Sequence, residues 1–231
     1  MSAGLLVAAI AVSAALGGTL PSPFSDAAGI ASYFRSQPSA VRASGVLLFA
    51  SSVPLAIYAA TASARLRQLG VLAPGATIAL AGGLLSAAAL GLSGLLQWVL
   101  ARPAVRGDVP LVRALHDLAF LSGGPASVVP LGLLVAGIAV PTLLLRLLPR
   151  PLALAGLLLG GLAELTTLTM VWPELSLLLP AVRFPALAWL ITAGWLLPHS
   201  RPPRATVPTA GAGSAGLADP PAAPDSARAR S

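Results

Sequence analysis

Residues 163–174 read AELTTLTMVWPE and set one carboxylate, Glu164, among side chains otherwise suited to lipid. An ionised carboxylate in hydrocarbon is costly, so one retained there faces a bundle interior, finds a partner, or is held protonated. In each state it can do something: bind a small ion or solute, relay a proton, or fix helix register. Gly156, Gly160, Glu164 and Thr167 follow at steps of four, four and three, which predicts a single helical stripe. Gly156 and Gly160 form a small-xxx-small pair that lets another helix approach closely, so the stripe is expected to turn inward and act as a packing seam.

Other polar residues are expected near the same membrane face. Counting from Pro151, Glu164 lies about 20 Å along its helix. On that side another apolar run ends with Ser93, Gln97 and Trp98, and the segment DVPLVRALHDLAFLSGGP begins. Asp108 is placed to cap a helix starting at Pro110, and Arg113 and Asp117, four residues apart, to pair. Gly123-Gly124-Pro125 is expected to break or kink the chain, with Pro130 and Pro141 adding irregularity beyond it. Gln97, His116, Asp117, Glu164 and Thr167 thus form a candidate polar pocket for a small ligand, ion or proton. The same five residues equally suit a hydrogen-bonded cluster that holds helices in register.

Sharper chemistries find less support. GLSG at 91–94 matches the G-x-S-G of rhomboid-type intramembrane proteases, with Ser93 as nucleophile and His116 as the one histidine near that face. The rhomboid pattern takes its histidine from a later helix, where this chain has none. Two histidines and scattered carboxylates do not make a metal cluster, and no cofactor is expected. Phosphate-loop and dinucleotide fingerprints are absent, and without cysteine there is no disulfide or thiolate chemistry. No catalytic signature remains.

The composition says what must position these residues. Only 9% of the 231 residues are charged and 56% are hydrophobic, with a mean hydropathy of +0.87. A soluble domain carries about 25% charged residues, so this is the composition of a membrane protein. Every cation is arginine, and the net charge of +7 is spread out rather than gathered into the basic patch that nucleic acid would need. The uncharged runs 1–25, 43–64, 68–101, 118–145, 151–163 (to 173 past Glu164) and 184–200 predict six transmembrane helices, over about 3–20, 43–64, 74–101, 124–145, 151–172 and 183–198. The first has no basic region before it and is read as a retained helix rather than a cleaved signal. Between the first two spans, DAAGIASYFRSQP predicts a short interfacial helix capped by Ser25 or Asp26, with Ile30, Tyr33 and Phe34 on one face and Pro38 at its end. Residues 199–231, rich in Pro, Ala, Gly and Ser, predict a disordered tail. Arginine counting ties between the two sides, and the tail is placed in the cytoplasm.

Small and polar residues also recur along Ser44, Ser51, Pro54, Tyr58 and Thr61, and along Gly82, Ser86, Ala89, Ser93 and Gln97. Such stripes either line a conduit or mark helix contacts. SSVPL at 51–55 echoes SVVPL at 127–131, a short hint of a repeat.

The segments VPLAIYAATASARLRQLG, SGLLQWVLARP, RALHDLAFLSGGP, VPLGLLVAGIAVP and RFPALAWLITAGWLLP resemble a group of actinobacterial multipass membrane proteins assigned to a domain-of-unknown-function family. The likeness runs from about Phe24 to Pro198 and implies an integral membrane helical bundle, with no active residues to carry over. The resulting expectation is an all-α, six-helix integral membrane bundle without enzymatic activity. Its partners are the lipid bilayer and a small-molecule ligand or another membrane protein. It acts either as a small-solute permease or ligand-binding component, or as an assembly subunit packing through Gly156, Gly160 and Glu164.

Overall fold

A computed structural model describes residues 26–71 and 73–198. The expected first span and the tail lie outside the described residues, as do Ser25 and His199. Among the described residues the chain is all-α, and five stretches are long and apolar enough to cross a membrane: Pro38–Gln68, Gly75–Leu100, Val109–Leu144, Arg150–Met170 and Pro173–Leu196. Each overlaps one of the second to sixth expected spans, the fourth beginning at Val109 rather than near 124, and the protein is a membrane-embedded helical bundle.

The last span departs from expectation in one consequential way. It begins about ten residues earlier than the expected 183, with a 3-10 turn over Pro173–Leu177 leading into a helix at Leu178. Arginine is a good helix former, so a charge marks the end of an apolar run without ending the helix. Arg183 therefore lies inside the span rather than in a connection.

Helix α1 (Ala27–Ser36) starts where Asp26 Oδ2 accepts the Gly29 N–H at 2.8 Å. Its expected apolar face docks on the bundle: Ile30 and Phe34 are fully buried against Leu100, Val112 and Ala119. Pro38 then opens α2 (Pro38–Gln68), where a missing N–H costs nothing. α3 (Gly75–Leu100) returns alongside α2. The single turn α4 (Pro103–Arg106) leads to α5 (Val109–Gly123) and α6 (Pro125–Leu144), two parts of one span. The expected caps and pair form here: Asp108 Oδ1 accepts the Leu111 N–H at 3.0 Å, and Arg113 Nε meets Asp117 Oδ2 at 3.0 Å. α7 (Arg150–Leu165) continues into a 3-10 turn, Thr166–Met170, and α8 (Leu178–Leu196) completes the bundle.

Lipid tails are as apolar as a leucine-lined core, so close packing rather than hydrophobic contrast holds such helices together. Glycine supplies the close approach. A Cβ on Gly82 would lie 2.6 Å from the Pro130 carbonyl oxygen and 2.7 Å from the Leu134 nitrogen, so α3 and α6 touch backbone to backbone. Gly82→Leu is expected to cost about 3 kcal/mol, the upper end of overpacking penalties, because backbone cannot move aside as a side chain can. Loss of the folded peak on detergent size-exclusion or a steep drop in melting temperature would show it; an unchanged melting curve would refute the contact.

The bundle has two unlike ends. One, the α1 face, carries Asp26, Asp108, Asp117 and Glu174. The other, the Pro198 face, holds loops 69–74 and 145–149 and the end of α8. Its described charges are arginines: Arg65, Arg67, Arg146 and Arg150. Arg65 Nε and Nη1 donate to the carbonyls of Pro198 (3.3 Å) and Gly194 (3.4 Å), and Nη2 to that of Leu197, satisfying groups that a helix end leaves open. On this face α2 and α6 end alike. The Val71 N–H reaches back to the Leu66 carbonyl (3.0 Å) and the Leu147 N–H to that of Thr142 (2.9 Å). This is the Schellman arrangement, and its left-handed residue is Gly70 (φ 83°) in one helix and Arg146 (φ 53°) in the other. A left-handed arginine costs on the order of 1 kcal/mol relative to glycine.

Candidate functional site

The buried stripe of α7 is Ala153, Gly156, Gly160 and Ala163, followed by Thr166. A Cβ on Gly156 would come 2.5 Å from the Trp189 ring of α8, and one on Gly160 3.1 Å from Ala136 of α6. This seam is thus occupied within the chain. Glu164 and Thr167, expected on it, are instead exposed. Each four-residue step advances about 400°, overshooting a turn by about 40°, so two steps from Gly156 bring Glu164 to the seam's edge. Glu164 has no hydrogen-bond or ion-pair partner among the described residues.

The remaining pocket candidates stay at the α1 face without Glu164. His116 is buried, its ring edge-on to Phe34 with centroids 5.3 Å apart. Gln97 lies between Leu96 and Leu100, which pack in the same apolar cluster, and its Oε1 is buried without a hydrogen-bond partner. Asp117 is engaged by Arg113 at the surface. Ser93 donates to the Ala119 carbonyl at 2.8 Å, so its hydroxyl proton is directed to the backbone and not to His116. A nucleophile needs the opposite arrangement. Two more buried polar atoms flank this cluster, Tyr33 Oη and Arg106 Nε, both unpartnered. Among the described residues no three His, Asp or Glu side chains gather to hold a metal.

The most connected polar group lies deeper, at the expected helix break. α5 stops at Gly123 and α6 restarts at Pro125, with Gly124 at φ −87°, ψ −109° between them. Proline at 125 supplies no N–H, and the turn frees carbonyls that a continuous helix would satisfy. Ser127 Oγ donates to the Gly123 carbonyl at 2.6 Å. From α8, Arg183 Nη2 donates to that same carbonyl and lies 2.7 Å from Ser127 Oγ. From α3, Ser86 Oγ donates to the Ser127 carbonyl at 2.8 Å. Three spans therefore meet through Ser86, Ser127 and Arg183. The conduit-or-contact ambiguity of the α3 stripe is decided for Ser86 and Ser93: both are bonded across helix contacts.

Arg183 lies about 20 Å along α8 from Leu196, within the roughly 30 Å of hydrocarbon. It forms no ion pair with any described carboxylate. Glu164 lies at a similar distance along α7, and the two do not meet. Arg183 borders a small cavity of about 10 Å³ shared with Leu55, Ser86, Leu90, Ser127, Leu131 and Leu187. A space of that size holds about one water. Sequence reading missed Arg183 by taking it as the edge of a span. Its place ten residues after Pro173, across a mostly apolar stretch whose one breaker, Pro180, is tolerated in the first turn of α8, was the available clue.

No family model, curated protein or solved structure matches this chain.

Proposed function

We propose that the protein is a small-solute permease or ligand-binding membrane component whose solute is an anion, met by Arg183. The observation that carries this reading is a cation without a carboxylate partner inside a spanning helix. Such residues are expensive in hydrocarbon and mark ion or substrate paths in membrane proteins. A guanidinium has five donors in a planar fork, and a carbonyl and a hydroxyl at one nitrogen leave donors for a carboxylate, phosphate or halide. The space beside it holds about one water, so a larger anion needs the site to widen, and the break at Gly123-Gly124 is where the backbone can turn. The Pro198 face is assigned to the cytoplasm.

A second reading is supported by the same contacts: Arg183 pins the broken helix and binds nothing else. One experiment separates them. The purified protein in detergent is titrated with sodium chloride, nitrate, phosphate and acetate at constant ionic strength while its melting temperature is followed. A selective rise of several degrees with one anion, lost in Arg183→Gln, is the expected result. Equal responses to all four salts, or the same response in the variant, would leave the pin as the role of Arg183.

A further inference from the structure

Apart from the Arg183 void, the bundle has an open apolar groove on its flank, of about 620 Å³. Its walls are the start of α3, from Pro74 to Ile78, and the second half of α6, from Leu133 to Leu145, with Gly70 and Val71 lining it at the Pro198 face. Nearly all of the lining is aliphatic. Pockets of about 300–1,000 Å³ are the size that buries a small-molecule ligand. Along α6 the groove runs about 18 Å, close to the depth of one leaflet, about half of a 30 Å hydrocarbon core.

The mouth of the groove is cationic. Arg146 directly follows the lining residue Leu145 and is exposed. Arg67 is held at the other wall, its Nη2 donating to Thr77 Oγ1 at 3.3 Å, one residue before the lining Ile78. Neither forms an ion pair with a described carboxylate. Beyond the described residues, the nearest carboxylates in sequence on this side are Asp219 and Asp225, more than twenty residues past Pro198 among four further arginines. Arg146 is also the left-handed residue of a helix end whose counterpart in α2 is glycine. The position suits glycine better, so the backbone gives no reason for an arginine there; a task for its side chain does.

We propose that this groove is a binding site for an anionic phospholipid. One acyl chain lies between α3 and α6, and the headgroup phosphate sits between Arg67 and Arg146. An aliphatic slot of leaflet depth beside two guanidiniums that are paired with no described carboxylate matches a lipid with a negative headgroup. A neutral lipid would fill the slot but leave the arginines unanswered. An apolar stretch of this chain or of a second copy would do the same.

Arg146→Gly separates binding from folding, because glycine relieves the left-handed conformation. The delipidated protein in detergent is mixed with phosphatidylglycerol or phosphatidylcholine, and its melting temperature and retained lipid (by native mass spectrometry) are measured. Phosphatidylglycerol is expected to stabilise the wild type by several degrees more than phosphatidylcholine and to be retained preferentially. In Arg67→Gln/Arg146→Gly the lipid-free melting temperature is expected to be unchanged or higher, with the preference reduced at least tenfold. Equal retention of the two lipids by the wild type, or an undiminished preference in the double variant, would overturn the proposal. A photo-crosslinker at Val140 identifies the occupant. A phospholipid adduct in liposomes supports the site; an adduct only to residues 1–25 or to a second copy refutes it.

Discussion

Glu164→Leu is expected to make insertion of α7 more favourable by about 2 kcal/mol. Insertion scales separate leucine from an acidic side chain by about 3 kcal/mol at a helix centre, and less toward its ends. Glu164 lies off centre, about 21 Å from Arg150. It is exposed and has no partner among the described residues, so its removal forfeits no contact there. The check is an insertion assay on the Arg150–Met170 segment, together with the melting temperature of the full chain. A gain in both agrees with a lipid-facing carboxylate. Improved segment insertion with a fall in full-chain stability would mean that Glu164 meets a partner in the assembled protein.

Arg183→Ala is expected to destabilise the folded bundle by about 3 kcal/mol. Truncation removes a donor from the freed Gly123 carbonyl and leaves a hole beside Leu55, Leu90 and Leu187. An unsatisfied buried polar group costs about 1–3 kcal/mol and a large-to-small core change about 2–5 kcal/mol. Ser127 still serves the Gly123 carbonyl, which keeps the total near the lower values. Arg183→Met keeps most of the volume and takes the charge out of the membrane, so it is expected to be less damaging than alanine. Unfolding in a detergent series gives the order: wild type, methionine, alanine. An alanine variant as stable as the wild type would show that the break holds without its arginine.

Within the described residues, much of the architecture was legible from local chemistry. Charge-free length picked out a segment within each of the second to sixth spans, because hydrocarbon thickness fixes how many apolar residues a span needs. It began the fourth and sixth late because they carry charges: Arg113 and Asp117 in one, Arg183 in the other. Asp26 and Asp108 announced two helix starts, and Gly123-Gly124-Pro125 announced the break, since caps and breaks depend on residues within one turn. The Arg113–Asp117 pair follows from a four-residue spacing.

The site was legible only in part. His116 is buried against Phe34 and Gln97 approaches Gly45, while Glu164 faces outward and Arg183, read as a boundary, is the cation inside. The physical reason is shared. In water an apolar stripe tells which side of a helix is buried, but in a bilayer the buried and lipid-facing sides are both apolar. Sequence by itself determined the helices, their breaks and their membrane setting. Which side of each helix turns inward, and so whether Glu164 or Arg183 occupies the interior, was decided by the fit of Gly82, Gly156 and Gly160 against neighbouring helices. Such fit exists only once distant segments are packed together.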